Sequence, residues 1–213
     1  MINVDFHVHS KYSHDGTADI HEILNQAKKR NINVLCITDH DELVIKTGFY
    51  EDIYIIAGEE ITTKQGEIIG LFLEAKIPKG IDLPEAIKKI KQQGGIVYLP
   101  HPFDVYRKGR IKLRDVLKNL DKIDIIEIHN GKYLTYFETF LSWLMATFLK
   151  KIKAVGSDAH KTSEIGLAYV CLEEIPKPDT ILKLLRQNKG FKIGKSPLLP
   201  RILKKLLRRS NLL

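Results

Sequence analysis

A chain of 213 residues with 44% hydrophobic and 28% charged side chains has the make-up of one globular domain with a sizeable core. No apolar run reaches the roughly 18 residues that a membrane-crossing helix needs, and no basic stretch leading into an apolar one opens the chain, so a cytoplasmic protein is expected. The net charge of +8 is uneven: the segment from Lys177 onward carries eleven Lys or Arg against the single acid Asp179, while the 176 residues before it balance at −2.

Strand-like and helix-like runs alternate along the chain. Ile2–His9 reads as a buried strand in which Asp5, His7 and His9 share one face, with Phe6 and Val8 on the other. After the turn Ser13-His14-Asp15-Gly16, Asp19 caps a helix from Ile20 to about Arg30. Val34–Thr38 is a β-branched run ending in Asp39-His40-Asp41. Tyr54–Ala57 leads into Gly58-Glu59-Glu60-Ile61-Thr62, and Ile68–Leu73 folds back beside it around Gln65-Gly66. A helix over 84–93 stops at Gly94-Gly95. Ile96–Leu99 is a strand ending in Pro100-His101-Pro102, 113–120 a short helix, and Ile123–Ile128 a strand ending in His129-Asn130-Gly131. A long helix spans about 134–150, a brief strand ends in Gly156-Ser157-Asp158-Ala159-His160, Leu167–Leu172 is the last strand, and 179–187 the last regular helix. Cys36 and Cys171 both sit inside apolar runs and read as packing residues in a reducing compartment.

This alternation predicts a mostly parallel α/β sheet, open or closed into a barrel. Six of the eight histidines (His7, His9, His40, His101, His129, His160) fall at the carboxyl ends of apolar strands, where α/β barrels gather functional groups. His21 reads as a surface residue. Imidazoles and carboxylates without thiolates suit Zn, Mn or Fe. His7, His9, Asp15, His40, Glu60, His101, His129, Asp158 and His160 are too many ligands for one ion and fit two or three, with a bridging carboxylate. Of the adjacent pair Asp39 and His40, His40 is the expected ligand and Asp39 its support; Asp5, deeper in its strand, is also expected to support rather than ligate. Clustered ions acidify water and neutralise a phosphate ester's oxygens. No phosphate-cradling glycine loop or dinucleotide turn is present.

These ordered motifs, Asp5-x-His7-x-His9, Ser13-x-Asp15-Gly16, Thr38-Asp39-His40, Gly58-x-Glu60-Ile61-Thr62, Pro100-His101-Pro102, His129-Asn130 and Gly156-Ser157-Asp158-Ala159-His160, resemble those of the PHP (polymerase and histidinol phosphatase) family, over residues 2 to about 173. The resemblance implies a distorted (β/α)7 barrel of the PHP type with a trinuclear site at the carboxyl ends of the strands. It would place His7, His9, Glu60 and Asp158 on one ion, Glu60, His101 and His129 on a second, and Asp15, His40 and His160 on a third. His7, His9, Glu60, Asp158 and His160 would carry the chemistry. Many relatives hold a histidine near Glu67, which departs from that pattern and is expected to face solvent.

The implied activity is metal-dependent hydrolysis of a phosphomonoester, a small metabolite or a nucleotide. Alternatives are exonuclease-type diester cleavage at nucleic-acid ends, an amidohydrolase-like metallohydrolase, and a non-catalytic, metal-stabilised binding module. Only about 40 residues separate Glu60 from His101, so no inserted lid domain is expected between them. Arg107, Arg110 and Lys132 are the candidate phosphate-binding cations. The helix at 136–149 is apolar nearly all round and is expected to bury both faces, first as a homodimer interface, otherwise as a cap over the mouth or a deep-core helix. The domain is expected over 1–195, followed by a basic amphipathic helix over 196–213. That helix could dock on the barrel, lie on an anionic membrane or track a nucleic-acid backbone.

Overall fold

The structure, a computed structural model, describes residues 1–104, 107 and 109–194; the segment expected as a basic amphipathic helix, 196–213, lies outside them. The elements in chain order are β1 (Ile2–Val8), α1 (Ile20–Lys29), β2 (Val34–His40), β3 (Gly48–Tyr50), β4 (Ile53–Thr63), β5 (Gly66–Leu71), α2 (Leu83–Gln92), β6 (Ile96–Leu99), α3 (Leu113–Lys118), β7 (Ile125–Asn130), α4 (Tyr136–Phe148), β8 (Ile152–Gly156), β9 (Ala168–Leu172), α5 (Ile181–Arg186) and β10 (Gly190–Ile193). The short strands β3 and β10 were not expected.

One sheet runs β10-β9-β1-β2-β4-β5-β6-β7-β8, with β3 paired outside β4. The last strand of this order, β8, closes toward β1, where Val8 bridges Ala159, Asp158 N donates to His7 O (2.7 Å) and His9 N donates to Ala159 O (2.8 Å). The result is a nearly closed α/β barrel. The pairs β1–β2, β2–β4, β6–β7 and β7–β8 are parallel. The strand β5 is antiparallel to both β4 and β6, because the hairpin around Gln65 is too short for a crossover. The carboxyl ends of β1, β2, β4, β6, β7 and β8 therefore open on one rim.

The approach of β8 to β1 requires Gly156. A Cβ there would stand 2.4 Å from the His7 Cβ and 2.8 Å from Glu127 Oε1. Asp19 and Glu22 form a capping box at the start of α1, as Thr135 and Glu138 do for α4.

The pattern read along β1 breaks at a register shift between Asp5 and Val8. Phe6 packs in the main core, stacked at 6.3 Å on Tyr98, whereas Val8 lies in the layer under Ile23, Leu24 and Ala27 of α1. Phe6 and Val8 do not share a face, and Asp5 does not line up with His7 and His9. Its carboxylate instead accepts from the backbone N–H groups of Ser157 and Gly166, both at 2.9 Å. Burial pushes the Asp5 carboxyl up to about 6.

The α4 helix is not a deep-core element. It turns Glu138, Ser142 and Ala146 inward, and leaves Phe137, Phe140, Trp143 and Phe148 between 45% and 76% exposed. Among the described residues, no helix is long and apolar enough to cross a membrane.

Candidate metal centre

On the rim, the His7 and His9 rings leave β1 side by side, with Nε2 atoms 3.0 Å apart. Glu60 Oε2 lies 3.2 Å from both Nε2 atoms, and Asp158 Oδ1 lies 3.6 and 3.3 Å from them. All four residues are buried.

The tautomers follow from the atoms behind the rings. His7 Nδ1 faces Glu127 Oε1 at 3.1 Å, so Nδ1 carries a proton and Nε2 is the atom turned to the site. Burial opposes a charged ring, but Asp158, Glu60 and Glu127 outweigh it and raise the ring well above its ordinary value, so an ion at Nε2 would displace a proton there. Ser13 donates its hydroxyl to Asp39 Oδ1 (2.9 Å), so its oxygen can only accept from His9 Nδ1 (2.9 Å) and from His40 N (2.9 Å). Asp39 is fixed in turn by the backbone N–H of Ser10 (2.6 Å) and its hydroxyl (2.7 Å). His9 therefore also turns Nε2 inward, and Asp158 and Glu60 raise its ring against burial in the same way. Two imidazole nitrogens and two carboxylate oxygens thus meet at one point, where either ring protons or a cation balance the carboxylate charge. Asp158 Oδ1 is moreover buried without a hydrogen-bond partner. This donor set fits a divalent ion.

A second group forms around His9, His40 and His160, with Asp15 on its open side. His160 Nδ1 donates to Asp158 O (2.9 Å), leaving Nε2 toward Asp15 Oδ2 at 3.0 Å. His40 Nε2 is 3.9 Å from Asp15 Oδ1. Burial drives His40 down to about 4, against the pull of the Glu60 charge, so its ring is neutral and able to ligate. Burial raises Asp15, but its hydrogen bond to His160 and the charge of that ring outweigh this and hold it well below the usual carboxylate range.

The third group is Glu60, Glu67 and His101. His101 Nε2 is 2.8 Å from Glu60 Oε1 and 3.8 Å from Glu67 Oε2. Glu67 thus faces the site and not solvent, and its Oε2 is a buried acceptor with no hydrogen bond. Burial and the Glu60 charge push the Glu67 carboxyl up to about 8. Glu60 itself is held well below its ordinary value: burial raises it, and His7, His40 and His101 prevail. His101 and Asp158 both adopt left-handed backbone, at φ 30° and 51°.

His129 does not join these groups. Between Glu127 and His129 the β7 ladder slips by one residue, so the regular alternation fails. His129 Nε2 donates to Gly194 O (3.0 Å), and Nδ1 accepts from the Thr139 hydroxyl (2.7 Å) on α4. Asn130 turns inward instead, donating to Asp158 Oδ2 (3.1 Å) and Glu127 Oε2 (2.9 Å).

Glu127 and Asn130 are the residues that reading the sequence missed. Besides His7, Glu127 accepts from the Tyr98 hydroxyl (2.9 Å) and His101 N (2.7 Å). Burial raises its carboxyl, and His7 more than reverses this. Its signal was available: it is the one acid inside the apolar run 125–128.

Of the candidate phosphate-binding cations, Arg107 enters the site. It donates to Asp158 Oδ2 and sets Nη1 3.1 Å from His101 Nε2 and 3.9 Å from both Glu60 and Glu67. Burial raises the Asp158 carboxyl, but Arg107 and His7 hold it well below its ordinary value. Arg110 Nη1 reaches Pro102 O at 3.4 Å. Lys132 pairs with Glu164, whose carboxylate also accepts from His160 N at 3.0 Å, so its ammonium steadies the His160 loop.

A family model described as PHP domain matches residues 5–192. The chain is 36% identical over 185 residues to an uncharacterized protein of Methanocaldococcus jannaschii, covering 84% of this chain and 75% of that one. It is 34% identical over 206 residues to a protein named Probable histidinol-phosphatase of Thermotoga maritima, covering 76% of this chain and 86% of that one. A solved two-domain protein of Bacteroides vulgatus, described as containing a predicted PHP-like metal-dependent phosphoesterase, superposes with a TM-score of 0.70 at 18% identity over 91% of this chain; the chain spans 65% of that protein's length.

Proposed function

The chain belongs to the PHP domain family and shares its fold with a protein described as containing a predicted PHP-like metal-dependent phosphoesterase, and from that premise we propose that it hydrolyses a phosphomonoester, a small metabolite or a nucleotide. The observation that carries this reading is the set of buried donors, with His7 Nε2, His9 Nε2, Glu60 and Asp158 Oδ1 aimed at one point and His40, His160 and Asp15 beside them. His7, His9, Glu60 and Asp158 would hold one ion; His40, His160 and Asp15 another; Glu60, Glu67 and His101 a third. Such ions, when bound, acidify water toward neutral pH and place positive charge against phosphoryl oxygens.

The chain's own groups supply the rest. Glu127 and Ser13 hold the His7 and His9 rings so that both Nε2 atoms face inward. Arg107, with its planar fork already against the cluster, is the group suited to grip phosphate oxygens, with Arg110 farther out on the same loop. The likeness to the Thermotoga maritima protein named Probable histidinol-phosphatase favours a monoester over a diester.

The test is a panel of phosphomonoesters, phosphodiesters and amides, assayed with protein stripped of metal and reloaded with Mn or Zn. Release of phosphate from monoesters is expected to exceed cleavage of diesters and amides. Two or more bound ions with no hydrolysis of any phosphoester would leave only a metal-stabilised binding module. Preferential amide cleavage would move the protein to the amidohydrolase class.

A further inference from the structure

The outward face of α4 carries Phe137, Phe140, Trp143 and Phe148, four large aromatic side chains exposed side by side on one helix. We propose that this face is the docking site for the chain's own C-terminal segment, 198–209, which lies along α4 with its leucine stripe inward and its arginines and lysines in water.

Four observations support this occupant. First, the described chain ends beside α4. Gly194 O accepts from His129 Nε2, and Nδ1 of the same ring meets Thr139 of α4 at 2.7 Å. Residues 195–199 can span at most about 17 Å, enough to reach the helix face from that point. Second, the lengths match. A helix over 200–209 is about 15 Å long and the 13 residues of α4 about 20 Å. Pro200 suits the first helical position.

Third, the pattern is complementary. Leu199, Ile202, Leu203, Leu206 and Leu207 recur at helical spacing, opposite Arg201, Lys204, Lys205, Arg208 and Arg209. The one acid of α4, Glu138, faces inward and is tied to Leu134 and Thr135, so the exposed face offers the basic side chains nothing and the leucines a surface. Fourth, a segment tethered within a few residues of its site competes at an effective concentration in the millimolar range, above that of a second copy in dilute solution.

The single tryptophan of the chain, Trp143, lies in this face, so its fluorescence reports the cover directly. In the full-length chain at low concentration, Trp143 is expected to emit toward the blue and to resist acrylamide. The full-length double variant Leu203→Glu, Leu206→Glu is expected to shift that emission to the red and to raise quenching about twofold, as roughly half of the indole regains water. Far-ultraviolet circular dichroism shows whether the variant keeps its fold. Should it unfold, Ile202→Gln alone is the milder substitution, expected to give a smaller shift in the same direction.

Three results would overturn the proposal. Trp143 could be fully quenchable in the dilute wild-type monomer. Its protection could rise with protein concentration alongside a dimer mass, untouched by the double variant. Or protection could arise only when vesicles of anionic phospholipid are added. Because none of these readouts involves hydrolysis, they stand apart from the phosphoesterase reading.

Discussion

The two halves of the rim are built differently. On the side of β1 and β8, the candidate ligand rings are held from behind: His7 by Glu127, His9 by Ser13 and Asp39, His160 by the Asp158 carbonyl. The His7 and His9 Nε2 atoms converge with Glu60 and Asp158. On the side of β6 and β7, His101 Nδ1 has no partner, His129 turns away to α4, and Arg107 places its charge among Asp158, Glu60 and Glu67. The first half is organised to hold cations before they arrive. The second offers fewer fixed ligands, with a guanidinium among them.

The largest effect that can test this contrast comes from Asp158, which the first half shares with Arg107. Asp158→Asn keeps the size and tolerates the left-handed backbone at φ 51°. It is expected to lose at least one bound ion and to lower turnover about 10³-fold, the scale of removing one preorganised charge contact. Metal analysis by plasma mass spectrometry and a single-turnover assay check both. Unchanged metal content would mean that the converging donors of the first half do not act together.

A smaller effect separates support from ligation. Glu127→Gln keeps the shape but weakens the acceptor that fixes the His7 tautomer, and should cost about 10–100-fold in metal affinity. Titration of the metal-free variant with Zn or Mn measures it. The loss should come with lower affinity and not with a lower final number of ions. A reduced number of ions at saturation would make Glu127 a ligand in its own right.

The same contrast explains what could be read from the sequence. Where the ladder keeps its register, alternation works: β2 pairs with β4 residue by residue from Val34 to His40, and His40 and Glu60 arrive opposite one another. The alternating strands and helices, the barrel and the common rim were legible for that reason. Where the ladder slips, the side chains change face, and no feature of composition marks the slip. That is why Asp5 and Phe6 were misassigned in β1, and why His129 was expected where Asn130 points in β7. Glu67 was misread for another reason. The hairpin is legible, but the face its acid takes is not: Glu67 pairs with Thr62, two residues from Glu60, and its carboxylate comes within 3.8 Å of His101 Nε2, just past β6.

The smallest expected effect is therefore the most discriminating. Because the β7 ladder slips before His129, His129→Ala is expected to remove no ligand from the rim. The variant should bind as many ions as the wild type and hydrolyse its substrate at a rate within about threefold of it, less than the weakest loss expected for a supporting group. Its cost should appear in stability, about 1 kcal/mol, because Thr139 and the Gly194 carbonyl lose their shared partner. Chemical denaturation measures that term independently of metal. Loss of an ion together with turnover would mean that His129 swings into the site once metal binds, and that the second half of the rim is assembled by its cations and not ahead of them.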